Sequence, residues 1–202
     1  IMAIKRYSAD ADNTITNAFQ ENLSVRGTGS NMGQADVLET FSIYAQESAT
    51  STELSRIILK FPISEIKADK DAEIIPTSGV SYYLKMFNAK HQHTLPKNYK
   101  LDVLAVSSSW EEGNGLDMEG YSDLTYDDIG SNWVRSAGST SWTTEGGDYH
   151  ASPIFSASFD KGDEDLEVNV TTLVEDWLND TKENYGFGVH LSASYEASSS
   201  TN

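Results

Sequence analysis

Ser55-Arg56-Ile57-Ile58-Leu59-Lys60-Phe61 decides the reading of the fold. Ile57, Leu59 and Phe61 fall on one side of an extended chain, and Arg56, Ile58 and Lys60 on the other, a period of two that an amphipathic helix does not keep. The alternation returns at Val80, Tyr82, Leu84 and Met86, at Phe155, Ala157 and Phe159, at Leu166, Val168 and Val170, and at Phe187, Val189 and Leu191. Each is the signature of a half-buried strand. Leu101 to Val106 is apolar on both sides except at Asp102, which suits an interior strand. Val37 to Ala45 reads as an earlier strand, with Val37, Phe41, Ile43 and Ala45 on its inner face.

Turn residues separate these runs at Pro76-Thr77-Ser78-Gly79, Pro96-Lys97-Asn98 and Lys161-Gly162-Asp163. A series of short strands with no helical pattern between them predicts an all-β fold, a two-sheet antiparallel sandwich of jelly-roll kind. One helix is expected near 171–179. Thr172 followed by Glu175 matches a capping box, and Leu173, Val174, Trp177 and Leu178 share one face, so Trp177 reads as a plug closing the end of the core. Residues 107–152 break the pattern. They carry Trp110, Trp133 and Trp142 among glycines, serines and acids, and read as a long acidic loop pinned by its tryptophans. Residues 1–50 are expected to complete or lead into the sandwich of residues 51–196, and 197–202 read as a polar linker.

The chain has 202 residues, 38% of them hydrophobic, enough to build a core. Fourteen basic residues face 31 acidic ones, for a net charge of −17. Such a surface repels nucleic-acid phosphates and anionic lipid. No apolar run reaches spanning length, so membrane insertion is not expected. Cysteine is absent, which removes disulfides and thiolate sites. The opening stretch Ile1-Met2-Ala3-Ile4-Lys5-Arg6 lacks the apolar region of a secretory signal.

Several groups invite a chemical reading. Asp117, Glu119, Asp123, Asp127 and Asp128 crowd a glycine-bearing loop, and calcium takes six to eight hard oxygen ligands of this kind; a solvated acidic loop is the plainer account. His91 and His93 share a face if extended but lack a third ligand nearby. Tyr82, Tyr83, Trp133, Trp142 and Tyr149 would make a sugar-stacking platform if exposed, or core plugs if not. Arg56 is expected to pair with a rim carboxylate, Glu112 in the Glu111-Glu112 element being the candidate. The chain carries no Gly-x-Ser-x-Gly elbow, phosphate-binding loop, His-Glu-x-x-His or dinucleotide fingerprint, and an enzyme is not expected.

Several segments, in order, resemble the DNRLRE family of extracellular β-sandwich domains. They are Ala11-Asp12-Asn13-Thr14-Ile15, Asn31-Met32-Gly33, the arginine-led strand at Ser55, Ser109-Trp110-Glu111-Glu112-Gly113, Val170 to Leu178, and Asn184-Tyr185-Gly186-Phe187-Gly188-Val189. The resemblance implies a jelly-roll sandwich serving as a structural or carbohydrate-binding appendage. The first 50 residues and the lack of a signal stretch look like virion structural proteins of marine tailed phages, which carry a similar sandwich. The expectation is therefore a structural module of a virion, assembled in the host cytoplasm, in contact with itself or other virion proteins. The alternative is a carbohydrate-binding module of a secreted or cell-surface protein, with a surface polysaccharide as partner.

Overall fold

A computed structural model describes residues 4–90, 95–116 and 130–196. Most of the alternating residues fall in strands, with Val80, Tyr82 and Val170 just outside them. β1 (Ala11–Thr16), β2 (Ser42–Tyr44), β3 (Thr52–Lys60), β5 (Tyr99–Ala105), β8 (Phe155–Phe159) and β10 (Phe187–Leu191) build a six-stranded sheet. Its order is β1-β3-β10-β5-β8, with β2 also paired to β3. β4 (Tyr83–Met86) and β9 (Leu166–Asn169) form a separate two-stranded ribbon, and β6 (Arg135–Ala137) and β7 (Thr140–Ser141) another. All of these pairings are antiparallel. Helices number three among the described residues: α1 (Ile63–Asp71), α2 (Thr171–Leu178) and α3 (Ala193–Glu196). The fold is all-β.

Register assigns the two faces of the large sheet. Directly paired residues share a face, so Ile57 lies level with Val189 and Val103, and Leu59 with Phe187 and Ala105. These meet Leu84, Leu166 and Val168 of the ribbon and Ile66, Leu173, Val174 and Trp177 of α1 and α2 in the principal core. The second layer is thus a two-stranded ribbon flanked by two helices. The opposite face carries Asn13, Ile15, Arg56, Ile58, Gly188 and His190. There Ile15, Ile58 and Val106 pack against Trp133 and Trp142. β5 is apolar on both sides because both sides are covered.

Three expectations need correction. Residues 37–45 do not form one inward-facing strand. Only Ser42–Tyr44 pairs, Val37 and Ile43 are exposed, and Ala45 turns the chain at φ 59°, leaving Phe41 to pack against Met32. α1 was not foreseen. Pro62 caps it, and Ile66 is its buried apolar residue, too sparse a stripe for periodicity to register. The capping box of α2 does not form. The N-cap is Val170, two residues before Thr172, and the Asn169 Oδ1 accepts the Thr171 N–H at 3.0 Å. Asn169→Ala is accordingly expected to cost up to about 1 kcal/mol, whereas Thr172→Ala stays within about 0.5 kcal/mol of wild type. Urea denaturation of the two variants checks this; a larger loss at Thr172 would restore the box. The buried face of α2 (Leu173, Val174, Trp177 and Leu178) is the one its periodicity predicts.

Candidate functional site

The face of the sheet away from α1 and α2 gathers a set of buried polar side chains. Asn13, fully buried on β1, donates from Nδ2 to the Ser131 carbonyl (2.9 Å) and hydroxyl (2.8 Å). Its Oδ1 accepts the Met32 N–H at 3.0 Å. Asn31 donates to the carbonyls of Glu112 (2.7 Å) and Ser131 (2.8 Å) and accepts the N–H of Gly33 (3.2 Å) and Gly115 (2.8 Å). Gly113 sits at φ 81°, and a Cβ there would meet the Asn31 amide at 2.4 Å, so only glycine lets the two strands of loop close on this side chain. Asn132 caps the next turn, accepting the N–H of Val134 and Arg135 and, at its carbonyl, the Trp142 indole N–H at 2.8 Å. Glu112 Oε1 accepts the Asp12 N–H at 2.9 Å, which fastens the loop to the β1 edge. Burial first, and then the Glu112 carboxylate, raise the Asp12 carboxyl above its ordinary value.

Arg56 projects from β3 into the same layer. Its Nε and Nη2 donate to Glu196 Oε1 and Oε2, both at 2.8 Å, and its Nη1 donates to the Gly146 carbonyl at 2.9 Å. The guanidinium lies 5.3 Å from the Trp133 ring centroid and 5.8 Å from that of Tyr149. Tyr149 donates its hydroxyl to Gly146, and burial pushes its pKa up to about 12 against the opposing pull of Arg56. His190 Nδ1 stands 3.6 Å from Glu196 and 2.7 Å from the Leu191 carbonyl. The expected arginine pair therefore exists with a different partner: Glu196 of α3, not Glu112. Trp110, expected to pin the loop, donates its indole N–H to the Tyr185 carbonyl at 2.7 Å. Trp177 is buried against Phe187, edge to face at 4.8 Å.

The aromatic platform is not assembled. Trp133 and Trp142 are each 5% exposed in the second core, and Tyr149 is packed against it. Tyr82 turns its ring to the principal core, with its hydroxyl buried. Tyr83 alone of the five is exposed, on the outer side of β4. Burial removes the flat faces that sugar stacking needs. Asp117, Glu119, Asp123, Asp127 and Asp128, the calcium candidates, lie outside the described residues, as do His91 and His93. Among the described residues no three His, Cys, Asp or Glu side chains stand close enough to hold a metal ion. Nor is any helix among them long and apolar enough to cross a membrane.

Asp148 is a buried carboxylate that the sequence did not flag. It accepts the N–H of Thr143 and Thr144, each at 2.9 Å, and the Ser108 hydroxyl at 3.0 Å. Burial acts to raise its pKa, but these donors outweigh it and the net direction is down. A carboxyl with a depressed folded value stabilises the fold above its unfolded value, near ~3.9, and loses that contribution as pH falls through the folded value. Asp148→Asn should thus be clearly destabilising at pH 7 and less so at pH 2, below the unfolded value, read by urea denaturation at each pH. An equal gap at both would refute the assignment. Beside β8, a surface cavity of about 610 Å³ opens between Lys100, Ser158, Asp160 and Tyr195.

No protein-family model, no curated protein and no solved structure matches this chain.

Proposed function

We propose that the chain is a non-enzymatic structural module, a jelly-roll-like sandwich of DNRLRE-like kind that serves as a virion component in a fibre, tail or capsid-decoration position, assembled in the host cytoplasm. The observation that carries this reading is the use made of its polar side chains. Asn13 and Arg56 reach from the sheet to the loops at Ser131 and Gly146, Glu196 ties α3 to Arg56, and Asn31, Asn132 and Asp148 hold the loops to themselves and to one another. Buried networks whose members are satisfied make a stiff body, which suits a repeated lattice better than a site that must open for a substrate. Its partners would be itself or other virion proteins. Light scattering of the chain, with calcium and with chelator, tests this. A discrete oligomer is the expected result, and a calcium-dependent shift would bring in the acidic loop. A monomer indifferent to calcium would overturn the assembly reading.

A second reading, a carbohydrate-binding module of a secreted or cell-surface protein, has its own support. Tyr83 and Phe87 are 56% and 74% exposed, with Lys85 between them and its ammonium 5.5 Å from the Phe87 ring. Exposed rings beside a polar group are the elements of saccharide stacking. A glycan array comparing the wild type with Tyr83→Ala distinguishes the two readings.

A further inference from the structure

The two ends of the large sheet are finished differently. The β1 edge is closed by Glu112, which takes the Asp12 N–H, and by the asparagine-held loops. At the other end, among the described residues, the β8 main chain hydrogen-bonds to β5 alone. Edge strands normally guard their unpaired N–H and C=O groups with a charge, a proline or a bulge. β8 has none of these: Phe155-Ser156-Ala157-Ser158-Phe159 is uncharged, and its register with β5 runs without a break. In a chain of net charge −17, five uncharged residues along an open edge are where two copies can approach.

The segment is also a palindrome. Two antiparallel copies of it, centred on Ala157, set Phe155 opposite Phe159, Ser156 opposite Ser158, and Ala157 opposite itself. Phe155 and Phe159 lie on the core face, where Phe159 stacks on Tyr99 at 4.9 Å and Phe155 keeps part of its surface open. Ser156 and Ser158 lie exposed on the other face. Just beyond the palindrome, Asp160 would face Ile154, an exposed apolar residue, so no carboxylate meets another along the seam. The alternation of side chains matches across the two-fold whichever set of β8 amides points outward.

We infer that β8 is a self-association edge, at which a second copy of this chain adds its own β8 antiparallel, in the register centred on Ala157, to give one continuous two-fold sheet. The inference rests on the assembly reading above and names its contact. Sedimentation equilibrium over a concentration series tests it with two double variants. Ser156→Lys with Ser158→Lys sets lysine against lysine twice across the two-fold. Ser156→Lys with Ser158→Glu sets lysine against glutamate twice, with the new lysine beside Asp102 and the new glutamate beside Lys100 of β5. The wild type should approach twice the chain mass. The lysine–glutamate variant should keep the dimer, and the lysine–lysine variant should associate about tenfold or more weakly. The lysine–lysine chain is two charges less negative than wild type, so overall repulsion falls and any loss reports the local opposition. Both substituted sites are exposed, and thermal melts check that the variants fold. A dimer that survives two opposed lysines, or one lost in both variants, overturns the inference while leaving assembly intact. A wild type that stays monomeric at every concentration overturns both.

Discussion

Glu196→Gln is expected to lower the unfolding free energy by about 3 kcal/mol or more, because it strands the Arg56 guanidinium in a layer that water reaches poorly. The two side chains are only 17% and 12% exposed and meet through two parallel hydrogen bonds. Arg56→Met should be as costly, since it leaves a buried carboxylate facing Tyr149 and His190. The double variant should be far less damaged than the two losses combined, because neither charge is then left alone. Guanidinium denaturation of the four proteins gives the coupling directly. A single-variant cost under about 1 kcal/mol would place the pair with ordinary surface ion pairs and would mean that α3 is not held to β3.

Asn31→Ala should cost on the order of 2–4 kcal/mol, as several buried backbone groups lose their partner at once at about 1 kcal/mol or more each. The side chain serves the carbonyls of Glu112 and Ser131 and the amides of Gly33 and Gly115, and it is fully buried. Asn31→Asp should be worse, since a carboxylate would face two carbonyl oxygens. Hydrogen exchange should show faster opening at Gly33, Gly115 and Ser131, with β3, β5 and β10 still protected. Uniform loss of protection would show that the brace is part of the global fold rather than a local clasp.

The strands were legible because their apolar residues alternate, and that pattern depends only on one face meeting a core. Ile57 and Leu59, Phe187 and Val189, and Leu166 and Val168 all lie in the principal core. The inward face of α2 was legible for the same reason at helical spacing. The burial of Trp133 and Trp142 was not, because a tryptophan's exposure depends on what the loop folds against. The Arg56 partner was illegible too: Glu196 lies 140 residues away, with nothing local to mark it. Asn13, Asn31 and Asn132 look like turn residues in a sequence, and only their convergence shows them to be a buried clasp. The one available hint was the glycines at 33, 113 and 115, spaced to let backbone crowd a side chain. Residues 37–45 alternate as a strand should, yet most stay outside the sheet, because the periodicity of a segment does not guarantee it a partner.

The sheet order has a kinetic consequence. β3 and β5 are not paired. β10, which follows both in sequence, lies between them and pairs with both. During synthesis β1 can join β3, and β8 can join β5, while a gap remains where β10 will lie. Until β10 emerges, Ile57 and Val103 line two open ribbons that have nowhere to close. The large sheet should therefore close by a late insertion of Phe187–Leu191, a high-contact-order step on a scale of about milliseconds to seconds. Chains halted before that strand would be the ones prone to clump.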